Sequence, residues 1–171
     1  MQGTAFHLQG IGLITCDHVL GTQTHAFKPQ SYLDRYPVKI IARNSDIDLA
    51  ILRIEAPLDD GLNLTSADDV QQLDEVVAAG FPNYRHGDTG LITPGVVTGF
   101  RTFAGFRHLL TNAPLIAGNS GGPVIDKSNR VIGVVVTGAD RIENAQGTEK
   151  HGIIPIDAIN YLRAFMPSNQ P

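Results

Sequence analysis

An all-β domain, either a sandwich or a pair of barrels, is what this 171-residue sequence predicts. Three observations carry that expectation. About eleven short segments rich in β-branched or large apolar residues are each bounded by turn formers. Eighteen glycines and ten prolines supply frequent turns, above the usual share for a globular chain. Helical spacing of apolar residues is confined to one stretch near the C-terminal end.

In the first half, residues 3–8, 12–15, 25–29, 37–43 and 49–54 read as strands. The last of these follows two acids, Asp46 and Asp48, and is nearly continuous in apolar residues. Residues 58–75 are polar and acidic, with little apolar periodicity, and read as a crossing between two halves. The second half repeats the theme at 75–80, 91–100, 106–111, 123–125, 131–137 and 152–155. Asp157 is placed to cap a helix over 158–165, with Ile159, Leu162 and Phe165 or Met166 on one face, before Pro167 stops it. The expected organisation is a β half at 1–57, the crossing at 58–75, a second β half at 76–155 and a terminal helix at 156–166, all in one domain.

Composition narrows the function classes. Apolar residues make up 42% and charged residues 18%, enough for a core and incompatible with global disorder. A net charge of −4 and a pI near 5.8 argue against a phosphate-reading surface, so no nucleic-acid partner is expected. Cys16 is the single cysteine, which excludes an internal disulfide. No apolar run approaches the roughly 18 to 20 residues of a membrane span, so no membrane partner is expected. The first residues carry neither a basic region nor an apolar stretch, which predicts a cytoplasmic chain, or a periplasmic one if a leader has been removed. His7, His25, His86 and His108 show no metal-ligand spacing, and no metal or other cofactor is expected.

The segment Gly118-Asn119-Ser120-Gly121-Gly122-Pro123 is the strongest chemical signal. A nucleophilic serine needs a tight turn whose backbone N–H groups converge on the oxyanion formed during attack. Glycines allow the backbone angles that such a turn requires; a plain glycine-rich hairpin is the alternative. The second signal is Leu13-Ile14-Thr15-Cys16-Asp17-His18-Val19-Leu20, where a strand delivers a histidine as a general base would be delivered, or as a structural histidine. The third is Asp48, at the mouth of the strand 49–54, where a carboxylate can hold an imidazole in one tautomer. Asp46 lies on the same face by alternation, and an exposed acid at a strand end is the alternative reading of both.

In this order along the chain, these segments resemble the trypsin-like (chymotrypsin-fold) serine proteases, and within them the bacterial HtrA-type branch. Gly3-Thr4-Ala5-Phe6 and Asp48-Leu49-Ala50-Ile51-Leu52 match as well, with weaker matches at Ala79-Gly80-Phe81-Pro82, Gly95-Val96-Val97, Val131-Ile132-Gly133-Val134 and Ile154-Pro155-Ile156. The resemblance implies two six-stranded antiparallel β-barrels with a short C-terminal helix. It implies a serine endopeptidase with Ser120 as nucleophile, His18 as base and Asp48 orienting His18, and an oxyanion hole of the Gly118 and Ser120 N–H groups. Protein or peptide is the implied substrate.

Departures from the family also inform. Asn119 stands where animal digestive proteases carry an aspartate that binds a freshly cut N-terminus, so activation of that kind is not expected. The chain leaves no room for a PDZ domain or for the N-terminal arm of HtrA trimers, which predicts a protease module standing alone or cut from a longer chain. By resemblance, the pocket for the residue before the cut is lined by Leu115, Ala117, Val135, Val136, Thr137, Gly138, His151 and Gly152. No acid occurs among Pro114, Leu115, Ile116 and Ala117, so a pocket for arginine or lysine is not expected. Whether His151 or Gly152 takes the place of the family's pocket-lining glycine depends on the register chosen. Two other readings stay open: a latent effector module of a larger bacterial signalling or defence protein, switched on by a regulatory domain or partner, and a protease-fold binding module with little activity.

Overall fold

The computed structural model describes residues 2–21, 25–28, 31–136 and 152–166. Eleven strands and two short helices appear in the described residues. In the first half these are β1 (Phe6–Leu8), β2 (Gly12–Thr15), a single helical turn α1 (Asp17–Leu20), β3 (His25–Lys28), β4 (Ser31–Asn44) and β5 (Leu49–Ile54). In the second half they are β6 (Glu75–Gly80), β7 (Leu91–Phe103), β8 (Phe106–Thr111), β9 (Pro123–Asp126), β10 (Val131–Val136), β11 (Gly152–Pro155) and α2 (Ala158–Arg163).

The second half closes into a six-stranded antiparallel barrel in the order β10-β11-β8-β7-β6-β9, with β9 pairing back onto β10. The first half differs from the expectation of a second closed six-stranded barrel. Among the described residues it is an open five-stranded sheet, β1-β2-β5-β4-β3. Its long strand β4 changes partner midway: its first part, up to Pro37, pairs with β3, and its second part, from Val38, pairs with β5. The acidic crossing contributes no strand that could close the sheet. It makes two isolated parallel bridges, Leu8 with Leu62 and Leu64 with Val131, so it ties one half to the other.

Strands β1 and β6 bury alternate residues, as two-residue alternation requires, whereas β5, β10 and β11 are buried nearly throughout because both of their faces are covered. Leu109, Leu115, Val124, Val135 and Ile153 fill the barrel. A second cluster joins the halves: Phe6, Ile14 and Ile51 of the sheet meet Val134 and Ile154 of the barrel and Ile159 and Leu162 of α2. This shared core is what holds the end of β2 and α1 against the loop before β9. At about 25 cal/mol per Å² of apolar surface removed from water, a seam of fully buried Ile and Leu side chains is a strong joint.

Candidate active site

His18 sits in α1, directly after β2, and Asp48 sits in the turn that enters β5. Strands β2 and β5 are antiparallel neighbours, with Thr15 opposite Ala50, so the residues just beyond those ends meet. Asp48 uses both carboxylate oxygens on His18. Oδ2 lies 2.6 Å from Nδ1 of the ring, and Oδ1 accepts the His18 backbone N–H at 2.8 Å. The Asp48 carbonyl accepts the Asp17 N–H as well, at 3.2 Å. Asp48 adopts φ 55, a left-handed conformation that aspartate tolerates better than most residues. Asp46 is exposed, and its N–H goes to the Asn44 side chain in a local turn.

The hydrogen bond from His18 to Asp48 raises the imidazole pKa against the opposing effect of burial, and the charges of Asp48 and Asp17 add to the rise. A group with a raised folded-state pKa contributes its stability in full below its unfolded-state pKa and loses it as pH rises through the folded one. The His18 ring, followed by NMR, is therefore expected to titrate above the ordinary imidazole value. The stability that the His18–Asp48 pair contributes is expected to fade in that same window.

Ser120 arrives from the other half, on the loop preceding β9, and is 5% exposed. Its carbonyl accepts the Thr4 N–H at 2.9 Å, which docks the loop onto the segment before β1. Around it, the N–H groups of Asn119, Gly121 and Gly122 donate to the carbonyls of Ile116, Val135 and Asn119. The N–H groups of Gly118 and Ser120 donate to nothing among the described residues. Gly121 presses the loop against β2: a Cβ there would collide with Thr4 O and Thr15 Oγ1 and approach Cys16 N to 3.0 Å. Its φ is +87, which side-chain-bearing residues rarely adopt. Gly121→Ala is thus expected to cost about 3 kcal/mol, or about 6–12 °C in Tm by calorimetry, with loss of the site.

The surroundings hold two features that the motifs alone did not reveal. Asp17, whose side chain is 7% exposed, receives both Nε and Nη2 of Arg43 at 2.6 and 3.0 Å, which fastens α1 to β4. Cys16 lies buried behind the pair and donates its thiol to the Val135 carbonyl at 3.1 Å. Burial, and then the Asp48 charge, push that thiol well above its ordinary pKa, so it stays protonated and is a poor nucleophile. The donor atoms of Cys16, His18 and Asp48 lie within 4.8 Å of one another, the one such trio found among the described residues. Each is already engaged, the ring and carboxylate with each other and the thiol with a carbonyl.

The residues expected to line a substrate pocket are dispersed in their exposure. Leu115 and Val135 are fully buried in the barrel core, Ala117 is exposed, and Val136 is half-buried opposite Gly152 on β11. Thr137, Gly138 and His151 lie outside the described residues. His108, on β8, is buried, with its Nε2 unpartnered and its ring edge-on to Phe103; burial lowers its pKa.

Residues 3–134 match the family model of the trypsin-like peptidase domain. The chain belongs to the trypsin-like peptidase family. The resemblance to its HtrA-type branch, read from the motifs, is borne out by the relatives. Over 145 residues this trypsin-like chain is 32% identical to a probable periplasmic serine endoprotease, DegP-like, of Brucella suis, covering 78% of the chain and 27% of that protein. Over 144 residues it is 33% identical to the uncharacterized protein y4bJ of Sinorhizobium fredii, covering 82% of the chain and 22% of the relative. The trypsin-like chain thus spans about a quarter of the length of these relatives. Its fold is similar to the HtrA-type protease AlgW with a tripeptide, at TM-score 0.76 and 21% identity over 95% of this chain and 54% of that one. It is also similar to the Rv3671c protease of M. tuberculosis in its active form, at TM-score 0.75 and 22% identity over 99% and 75%.

Proposed function

We propose that this trypsin-like chain is a serine endopeptidase working through His18, Asp48 and Ser120. The observation that carries the reading is the doubly hydrogen-bonded His18–Asp48 pair, with Oδ2 2.6 Å from Nδ1, beside a serine loop in which the N–H groups of Gly118 and Ser120 donate to nothing among the described residues. With Nδ1–H given to Asp48, the lone pair of the ring lies on Nε2, the atom that takes the proton of the Ser120 hydroxyl. The Ser120 Oγ bonds to the scissile carbonyl carbon, and the negative charge moves to the carbonyl oxygen, facing the N–H groups of Gly118 and Ser120. The C–N bond breaks as the imidazolium returns its proton to the leaving amine. Water, deprotonated by the same ring, then releases the acyl group and regenerates Ser120.

The reaction uses no metal or cofactor group. Ala117, Val136, Thr137, Gly138, His151 and Gly152 form the proposed pocket, backed by Leu115 and Val135 from the barrel core, with no acid in 114–117 to favour arginine or lysine. Protein or peptide is the proposed substrate, in keeping with the tripeptide in the similar AlgW structure. No helix among the described residues is long and apolar enough to cross a membrane. The periplasmic description of the Brucella relative supports the periplasm over the cytoplasm.

A fluorophosphonate reacts rapidly only with an aligned, base-activated serine. Incubation with this probe, followed by digestion and mass spectrometry, is expected to place one phosphonyl group on Ser120. A folded protein that takes up no label would overturn the peptidase reading in favour of a latent or purely binding module.

A further inference from the structure

We propose that Thr4 is the positioning residue that keeps the oxyanion hole open, an inference that rests on the reading of Gly118 and Ser120 as its donors. Thr4 is 4% exposed and lies just before β1, in the half that does not carry Ser120. Every polar group it has is used. Its N–H donates to the Ser120 carbonyl at 2.9 Å, and its hydroxyl donates to the Gly118 carbonyl at 2.7 Å. The same hydroxyl oxygen accepts the Phe81 N–H at 3.0 Å, and the Thr4 carbonyl accepts the Thr15 hydroxyl at 2.7 Å.

The two residues whose N–H groups are left free are the two whose carbonyls Thr4 grips. The C=O of a residue shares its peptide plane with the next N–H and lies across Cα from its own N–H, so fixing the carbonyl leaves that N–H only the φ and ψ rotations at one Cα. The third carbonyl of the loop, that of Asn119, is held from within by the Gly122 N–H. Asn119 is itself buried and neutral, so it offers no ion pair to anchor the loop. Collapse of the hole requires a peptide plane to turn a carbonyl toward the place where the N–H groups point. At Gly118, which has φ +98 and no side chain to restrain it, the bond from Thr4 Oγ1 opposes that turn. Thr15 and Phe81 hold Thr4 in place from β2 and from the end of β6. The hydroxyl, rather than a charge, therefore sets the loop.

The test compares Thr4→Val, which keeps the shape but removes the hydroxyl, with Thr4→Ser, which restores it. The rate of the chemical step of fluorophosphonate labelling is expected to fall about 10- to 100-fold in Thr4→Val, with the half-saturating probe concentration unchanged. Thr4→Ser is expected to stay within about threefold of the native chain. Backbone ¹⁵N relaxation dispersion gives a second readout that needs no activity: Gly118 and Ser120 are expected to gain microsecond-to-millisecond exchange in Thr4→Val alone. Native labelling by a folded Thr4→Val, equal losses in both variants, or a flat dispersion profile in Thr4→Val would overturn the proposal. Should Thr4→Val not fold, Thr4→Ala carries the same comparison. A native chain that takes no label on Ser120 but gains loop exchange in Thr4→Val would refute the peptidase reading and leave the role of Thr4 standing.

Discussion

Replacement of Ser120 by alanine is expected to lower kcat for the proposed peptide cleavage by about 10⁶-fold, the scale set by nucleophile removal in serine proteases. The fold should be untouched. Ser120 is held through its backbone, by its carbonyl to Thr4, and among the described residues its hydroxyl supports nothing else. Removing one oxygen from the loop leaves a space too small to loosen it. Cleavage of a fluorogenic peptide library by Ser120→Ala, with thermal unfolding as the control, measures both. Retention of more than about 1% of native cleavage in the variant would mean that another group attacks the substrate. Cys16 would not be that group, since its thiol is buried and bonded to Val135.

Asp48→Asn is expected to be nearly as severe, at about 10⁴-fold in kcat. The substitution is isosteric, so the bond from the His18 backbone N–H can persist to the amide oxygen. The side chain then presents an NH₂ to Nδ1, which must accept, and the proton moves to Nε2 where the lone pair is needed. The pH dependence should change in a predictable direction. Asp48 is the largest cause of the raised His18 pKa, and burial is the largest cause acting against it. With the carboxylate gone, burial dominates, and the acid limb of kcat/KM is expected to move to lower pH than in the native chain. A limb that stayed in place would show that His18 is not the group titrating.

The strands were legible where β-branched residues run between turn formers. Residues 12–15, 49–54, 75–80, 106–111 and 152–155 form strands over the bounds read from sequence. Strand β4 was not, because Pro37 reads as a strand start. In the structure it marks the point where β4 leaves β3 and takes up β5, a handover that only the third dimension reveals. The single turn α1 is too short to show a period. The closed first barrel was an implication of family resemblance, and the five segments read from the residues correspond to the five strands present.

The candidate site shows the same division. His18, Asp48 and the glycines around Ser120 announce themselves because their chemistry restricts the residue types that serve. Asp46 and Asp48 share a face by alternation, and position before β5 together with the family resemblance points to Asp48; it is Asp48 that bonds His18. Thr4 lies in a segment that matches the family, Gly3-Thr4-Ala5-Phe6, but neither its contacts nor those of Arg43 were signalled. The hydroxyl of Thr4 finds Phe81 and Gly118 at separations of 77 and 114 residues, and Arg43 finds Asp17 from a different strand. The Thr4 contacts are set by the packing of one half on the other and the Arg43 contact by the packing of α1 on β4 within the first half, and no local pattern encodes either.

The core that joins the halves bears on the birth of the protein. Ile159 and Leu162 belong to α2, which follows all other described elements in chain order, yet they pack among residues of the first strands. During synthesis at about 5 to 20 residues per second, the sheet and most of the barrel leave the ribosome before α2 does. Until then Phe6, Ile14 and Ile51 lack part of the surface that they meet in the finished molecule. The bearings of His18 and Ser120 relative to each other depend on that same joint. The proposed peptidase activity is therefore expected only once α2 has docked, after the stage at which its own loose segments and those of neighbouring polysomes would be its easiest prey.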